Sequence, residues 1–221
     1  MFDCHFCSQI EGRREHDLIA QMLPGAAYVR RVMMETPSFA VIPSLGPLTT
    51  GHALLCPKAH LRSFAALDDA GHAEFIAAKK QLRQALSELH GCPVLLFEHG
   101  MAAYGNRVPC TVDHAHMHFV PLHGAPDLAA APSVPWREFD GSRAEWLRLA
   151  GGDEYVYVET PDGVSHIATQ GREGFESQLM RKLIAGHTGD AARWNWREHP
   201  DPAAAHASWA QFTATAATAS T

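Results

Sequence analysis

The sequence predicts an α+β protein with an antiparallel sheet, one long helix and a small α/β extension at its C-terminal end. Short apolar segments bounded by proline and glycine recur along the first half of the chain, and one long amphipathic segment, 68–89, lies among them. Two further β-like segments, 155–159 and 164–169, flank a Thr-Pro-Asp-Gly turn, which predicts a hairpin in the extension.

The individual elements follow from the same patterns of apolar residues and turn residues. We predict strands over 27–35, 39–43, 52–56, 93–98 and 112–120. We predict helices up to about residue 23 and over 68–89 and 175–184, with an aspartate at 68 or 69 as the cap of the long helix. A Pro/Ala-rich linker follows residue 121, and the low-complexity stretch 203–221 is expected to fray.

Composition excludes several classes of protein. The 221 residues are 46% hydrophobic and 19% charged, so a buried core is expected, and the formal net charge of −6 argues against a nucleic-acid-binding surface. No apolar run approaches the roughly 20 residues that span a bilayer, and the first residues lack the apolar stretch of a secretory signal. We expect a cytoplasmic globular protein that binds neither nucleic acid nor membranes.

Histidines are concentrated in one predicted strand. The chain has 15 histidines, and His114, His116 and His118 alternate along the strand 112–120. Alternate side chains project from one face of a strand about 7 Å apart, so the three imidazoles form a row. Such a row can be a metal site or a relay with a nucleophilic imidazole. An exposed polar sheet face and chance in a histidine-rich chain are the alternatives.

Three segments together resemble one known family. His-x-His-x-His at 114–118 is followed by two apolar residues and resembles the signature of the histidine-triad (HIT) superfamily of nucleotide hydrolases and transferases. The segment 51–60, Gly-His-Ala-Leu-Leu-Cys-Pro-Lys-Ala-His, resembles a second family strand, and Cys4-x-x-Cys7 resembles its zinc-containing members. The resemblance implies a HIT-like catalytic domain at 1–123, followed by a linker and extension at 124–221.

The resemblance implies a mechanism in which the middle histidine, His116, attacks the α-phosphorus of a nucleotide. A neutral imidazole is a competent nucleophile near pH 7, and a covalent intermediate divides the displacement into two steps. His118 and His52 match family positions that contact the phosphate. Thr111 stands where the family often has a serine that hydrogen-bonds the phosphate or the leaving group.

The resemblance also implies a structural zinc ion held by Cys4, Cys7, His60 and His114. Two cysteines and two histidines suit tetrahedral zinc, and four protein ligands leave no open position for catalysis. The gaps between these residues match no zinc-finger spacing, so the ligand set comes from the resemblance and from ligand chemistry. Taken alone, Cys4-x-x-Cys7 can equally be two ordinary cysteines.

The chain departs from the family pattern around the substrate. Ser44 occupies the place of an aspartate that grips the ribose in many small members, which leaves ribose binding open. Glu98 and His99 end the strand before the triad and are candidate substrate contacts, with solvated polar residues as the alternative. In the extension, Gln178, Arg181 and Arg197 lie near two tryptophans in sequence and can form a lid or an acceptor pocket, unless the tryptophans only pack the extension onto the sheet.

These observations favour a nucleotide hydrolase that cleaves a phosphoanhydride or phosphoramidate through a nucleotidyl intermediate on His116. One alternative is a nucleotidyl transferase or phosphorylase whose extension binds an acceptor. Another is a zinc-stabilised nucleotide-binding protein without turnover. The implied partner is a nucleotide substrate, and small family members often form a homodimer through the long helix, a contact that the extension can alter.

Overall fold

A computed structural model describes residues 4–23, 27–101, 113–170 and 174–219 of the chain. Within these residues it confirms the α+β prediction, with one antiparallel sheet of eight strands and six α-helices. The strands are β1 (Met34–Glu35), β2 (Phe39–Pro43), β3 (Ala53–Pro57), β4 (Val94–Gly100), β5 (Met117–Pro121), β6 (Arg137–Phe139), β7 (Tyr155–Glu159) and β8 (Ser165–Thr169). The helices are α1 (His5–Glu11), α2 (Leu18–Met22), α3 (Asp69–His90), α4 (Arg143–Ala150), α5 (Leu179–Thr188) and α6 (Pro202–Ala219).

The sheet continues from the first half of the chain into the second. Its strand order is β1-β2-β3-β5-β4-β7-β8-β6, and β4 pairs with β7 in the register Phe97↔Val158 and His99↔Val156. The hairpin β7–β8 is present, as the sequence predicts. The second half of the chain therefore adds strands directly to β4, the strand that precedes residues 114–118.

One face of the sheet packs against α3 and α4. Phe75, Leu82 and Leu86 of α3 are fully buried against this face, in a core that also includes Trp146 of α4. The side chain of Asp68 caps α3 by accepting a hydrogen bond from the backbone N–H of Gly71, 2.7 Å away. The long helix thus occupies the face opposite the catalytic candidates, where it supports strands β3, β4 and β5.

Two apolar clusters cover the other face of the sheet. Ile42 and Leu54 belong to a cluster that includes Ile10 of α1. Phe97 and Val156 belong to a second cluster, which also contains four residues of α5. The sheet between these clusters is the floor of a cleft with α1 on one side and the beginning of α5 on the other.

Several sequence predictions differ from the structure. The predicted strand 27–35 is present only as Met34–Glu35, and the predicted helix 175–184 begins at Leu179 and continues to Thr188. The predicted strand 112–120 is present only as Met117–Pro121, so His114 and His116 precede the strand and do not form a straight row with His118. The stretch 203–221, which the sequence suggests will fray, lies in α6 as far as residue 219. The buried side of this helix consists of small residues and Phe212. Because alanine occurs on all sides of the helix, the sequence shows no helical periodicity of large apolar residues. No helix in the described ranges combines the length and apolar character needed to cross a bilayer.

Candidate active site

The cleft between α1 and α5 contains two residues of the histidine triad. Its volume is about 970 Å³, including space open to solvent. His116 and His118 line it together with Phe97 on the floor, Phe6 of α1 and Arg181 of α5. Residues far apart in sequence therefore enclose the histidines on several sides.

His116 has the geometry of a neutral nucleophile. Its Nδ1 donates a hydrogen bond to the backbone carbonyl of His114, 2.7 Å away. This bond places the ring proton on Nδ1 and leaves the lone pair on Nε2. Burial, with smaller contributions from neighbouring charges, lowers the pKa of His116 to about 4. The edge of the Phe6 ring meets this imidazole with centroids 5.1 Å apart, which restricts its rotation.

A chain of hydrogen bonds fixes the opposite tautomer in His118. The backbone N–H of Leu48 donates to Nδ1 of His52 over 3.1 Å, so neutral His52 carries its proton on Nε2. That Nε2–H lies 2.9 Å from Nδ1 of His118 and donates to it. Neutral His118 must then carry its own proton on Nε2. Burial is the main cause that lowers the pKa of both histidines well below the usual value.

His118 is also held by aromatic stacking. Its ring lies parallel to that of Phe97, with centroids 4.0 Å apart and an angle of 7° between the planes. Because β4 and β5 pair Phe97 with His118 in register, the sheet itself sets this contact. The imidazole is therefore oriented by a strand neighbour and by a hydrogen bond before any ligand binds.

We expect nitrogen NMR to detect the two tautomers. In protein labelled with ¹⁵N at histidine, His116 should show a protonated Nδ1 and His118 a protonated Nε2 at pH 7, because their hydrogen-bond partners demand opposite assignments. His52→Phe removes the donor to His118 and should let both tautomers of that ring be populated, while His116 is unchanged. Finding the same tautomer for His116 and His118 in the unmodified protein would contradict the hydrogen-bond pattern.

A second cluster lies beside the triad at the start of α1. Potential ligand atoms of Cys4, Cys7, His60 and His114 all lie within 4.8 Å of one another. Nδ1 of His114 is 3.5 Å from Sγ of Cys4 and 3.4 Å from Sγ of Cys7, and Nδ1 of His60 is 3.4 Å from Sγ of Cys7. Zinc bonds of about 2.3 Å to sulfur and about 2.0 Å to nitrogen, at tetrahedral angles, separate sulfur from nitrogen by about 3.5 Å. The four residues therefore fit a zinc ion.

The hydrogen bond made by the second ring nitrogen of His114 also suits zinc binding. Its Nε2 donates to the carbonyl of Pro57 over 2.8 Å, which leaves the lone pair on Nδ1, the atom that faces both sulfurs. A carbonyl acceptor on the remote nitrogen is the usual way in which a protein orients a metal-binding imidazole. His114 thus has its side chain in the cysteine cluster and its carbonyl on His116.

Comparison with known proteins identifies the central part of the chain. Residues 28–125 match the HIT domain. The matched part, here called the HIT-like region, includes His52, His60 and the three histidines of the triad, whereas Cys4, Cys7 and residues 126–221 lie outside it. No curated protein matches the chain.

Several solved structures resemble parts of the chain. The NitFhit protein of C. elegans is 27% identical over 42% of this chain, with a TM-score of 0.37, and the match spans only 22% of that protein. A zinc-bound histidine triad family protein from Mycobacterium smegmatis is 24% identical, covering 66% of this chain and 88% of that one, with a TM-score of 0.39. A HIT family hydrolase from Clostridium thermocellum is 20% identical, covering 58% and 98%, with a TM-score of 0.39.

The remaining predicted site residues of the HIT-like region are divided between the cleft and the core. Ser44 and His99 line the cleft, and Nε2 of His99 donates to the buried carboxylate of Glu154. Glu98 does not line the cleft, because alternation along β4 turns it to the α3 face, where it is fully buried. Its carboxylate accepts hydrogen bonds from the backbone N–H of Phe64 and from Tyr155. Thr111 lies outside the described residues.

Glu98 should make the stability of the protein fall as pH rises. Burial raises its pKa to about 7 from a usual value of 4.5. Between those values the folded chain holds a proton that the unfolded chain has lost, so the free energy of unfolding should decrease by about 3 kcal/mol from pH 4.5 to pH 8. Urea unfolding of the wild type and Glu98→Gln across this range should show that the variant loses most of this decrease. Parallel pH profiles for the two proteins would contradict the prediction.

The cleft also contains residues that the sequence patterns do not single out. Phe6 and Gln9 project from α1, and Gln9 is only 6% exposed. Within the described ranges, Nε2 of Gln9 is buried without a hydrogen-bond partner. One sequence feature could have indicated that α1 lines the cleft, namely the position of Phe6 between two predicted metal ligands.

Proposed function

We propose that the protein is a nucleotide hydrolase that cleaves a phosphoanhydride or phosphoramidate bond at the α-phosphorus through a nucleotidyl intermediate on His116. The observation that carries the proposal is the hydrogen bond from Nδ1 of His116 to the carbonyl of His114. It leaves the unprotonated Nε2 as the reactive atom of a residue that lines the cleft. The match of residues 28–125 to the HIT domain supports the same chemistry.

In the first step, Nε2 of His116 attacks the α-phosphorus and forms a P–N bond while the bond to the leaving group breaks. A phosphate leaves as an anion with the electron pair of the broken bond, whereas an amine takes a proton from water as it leaves. Negative charge that develops on the phosphoryl oxygens is stabilised by the Nε2–H of His118. This role follows from the tautomer that His52 imposes on His118.

In the second step, water attacks the phosphorus and the P–N bond breaks, returning its electron pair to Nε2 of His116. The water loses one proton to solvent, and a nucleoside monophosphate is released. The low pKa of His116, about 4, favours the neutral ring at the start of each cycle. Attack by phosphate or another acceptor in place of water would make the same protein a phosphorylase or transferase.

His52 has a positioning role in this proposal. Both of its ring nitrogens are engaged within the protein, one by the N–H of Leu48 and the other by His118. Direct contact with the phosphate, which the family resemblance implies, would break one of these bonds. We therefore assign His52 to the orientation of His118, with Thr111 retained as a proposed partner of the phosphate or leaving group.

Zinc has a structural role in the proposal. Cys4, Cys7, His60 and His114 would hold it with all four positions filled, so its chemistry is to fix the N-terminal segment beside the triad. The segment that it fixes includes Phe6, which contacts His116. The apolar floor made by Leu54, Phe97 and Val156 then suits a nucleobase, with Ser44 and His99 as the polar groups beside it.

Phosphorus NMR of product formation over a panel of nucleotides tests the proposed function. The panel contains an adenosine phosphoramidate, dinucleoside polyphosphates and a nucleotide sugar, each with and without added inorganic phosphate. A hydrolase should release a nucleoside monophosphate whether or not phosphate is added, and a phosphorylase should form a nucleoside diphosphate only with phosphate. Tight nucleotide binding without turnover of any substrate would overturn both readings and favour a binding protein.

A further inference from the structure

Arg181 places a buried positive charge in the wall of the cleft. It lies in the first turn of α5, is 5% exposed and lines the cleft that contains His116. Its Nε donates to the carbonyl of Trp194 over 2.7 Å, and its Nη2 donates to the carbonyls of Gly46 and Arg193 over 2.8 and 3.0 Å. These bonds hold one edge of the guanidinium group rigidly.

The other edge of the guanidinium group lacks a protein partner. In the ranges 4–23, 27–101, 113–170 and 174–219, no acceptor bonds Nη1 and no carboxylate forms an ion pair with Arg181. Burial lowers its pKa to about 10, so the group remains charged at pH 7. A buried cation without a counter-ion is costly, and the cost is offset when an anion binds to it.

Arg181 faces the same cleft as the histidines of the triad. His116, His118 and Arg181 all line it. An anion bound at Nη1 would therefore share the cleft with the reacting phosphorus. No sequence motif of the HIT-like region includes this residue, because it comes from the extension beyond residue 125.

The chain just before Arg181 has two features that also suit a bound anion. Gln178, Leu179 and Met180 line the cleft at the beginning of α5, a helix of ten residues whose N-terminal end carries a partial positive charge. Gln178, the residue before this helix, adopts a left-handed backbone conformation with φ of 59°, and strained conformations of this kind concentrate where ligands bind.

We propose that Arg181 and the first turn of α5 form an anion subsite beside His116, which binds the phosphate adjacent to the one that His116 attacks. This inference rests on the proposed function and narrows it, because substrates that use the subsite must be phosphoanhydrides with at least two phosphates. In the first step the bond between the two phosphates breaks, and Arg181 stabilises the negative charge that develops on the departing one. A phosphoramidate with a neutral amine leaving group makes no use of the subsite.

Calorimetric binding of inorganic pyrophosphate and inorganic phosphate tests the subsite without turnover. Wild-type protein should bind pyrophosphate at least about tenfold more tightly than phosphate, and Arg181→Gln should weaken pyrophosphate binding by about 10- to 100-fold, the range expected for a lost charge-assisted hydrogen bond. Arg137→Gln is the matched control, because Arg137 is an exposed arginine on the edge strand β6 and does not line the cleft. It should change the dissociation constant less than twofold.

Two results would overturn the subsite. One is a folded Arg181→Gln protein that binds pyrophosphate within twofold of the wild type. The other is equal affinity of the wild type for pyrophosphate and phosphate, which decides the matter even if the variant does not fold. The proposed function fails separately, through the absence of turnover in the wild type on every nucleotide.

Turnover provides the second readout for the substrate class. In Arg181→Gln, kcat/KM for a dinucleoside polyphosphate should fall by at least about tenfold more than kcat/KM for an adenosine phosphoramidate, because only the first has a phosphate leaving group. An equal fall for both substrates would mean that Arg181 acts on the attacked phosphate or on the fold, and would overturn the assignment to the leaving phosphate.

Discussion

His116→Ala is expected to lower kcat by at least about 10⁴-fold on any substrate that the wild-type protein turns over. The substitution removes the only atom proposed to form the covalent bond, and loss of a catalytic nucleophile typically costs several orders of magnitude. The main-chain carbonyl that His116 contacts belongs to His114, so the proposed zinc ligands are unchanged by the substitution. The measurement is product formation by phosphorus NMR, with zinc content and melting temperature determined on the same protein.

His123→Ala is the matched control for His116→Ala. His123 is exposed, and its contact with His187 is made by its backbone carbonyl, which alanine retains. The control should keep kcat within twofold of the wild type. If His116→Ala retained a tenth of the wild-type activity while His123→Ala was normal, the covalent mechanism would be wrong.

A nucleoside 5′-phosphorimidazolide separates a nucleophilic role from a structural one. This compound already contains the P–N bond that the first step would make. Its nucleotidyl group takes the place of the substrate, and its imidazole takes the place of the side chain that His116→Gly lacks. The His116→Gly variant should hydrolyse the phosphorimidazolide but should remain inactive on the substrates that the wild-type protein turns over. A variant inactive toward both, with an intact fold, would indicate that His116 does more than supply the attacking atom.

The family resemblance, rather than spacing alone, predicted which residues of the site lie together in the structure. The cysteine pair, His60 and His114 lie together as the resemblance implies, and His116 and His118 line one cleft. The tautomers could not be predicted, because they depend on which backbone atoms meet each ring, such as the N–H of Leu48 at His52. These contacts are properties of the folded loop and have no counterpart in the motif itself.

The feature least predictable from the sequence was which face of the sheet a side chain at the end of a strand points to. Glu98 and His99 are adjacent and both polar, yet β4 continues through them to Gly100 and sends them to opposite faces of the sheet. Only the pairing of β4 with β7 shows that the strand extends this far, and β7 comes from the extension. A one-residue difference in where a strand ends therefore separates a cleft residue from a core residue.

Metal removal is expected to unfold the N-terminal wall of the cleft as well as to lower stability. The chain between Cys4 and Cys7 begins α1, which has seven residues and is too short to persist by its own hydrogen bonds. Without a metal, Phe6 loses the anchor that holds it against His116. A metal present at about 1,000 times its dissociation constant contributes about 4 kcal/mol of stability, so its removal should lower the melting temperature by roughly 10 °C in a protein of this size. Elemental analysis should find about one zinc ion per chain before treatment with a chelator.

Cys7→Ser and Cys92→Ser form a matched pair for this prediction. Both remove one partly buried free cysteine, but only Cys7 belongs to the cluster with His60 and His114. Cys7→Ser should lose zinc, melt about 10 °C lower and become sensitive to limited proteolysis within residues 4–23, whereas Cys92→Ser should match the wild type in all three measurements. Equal zinc content in the two variants would show that the cluster does not bind the ion. Loss of zinc without new cleavage in 4–23 would show that apolar contacts of α1 with the sheet, such as that of Ile10, suffice to hold the wall in place.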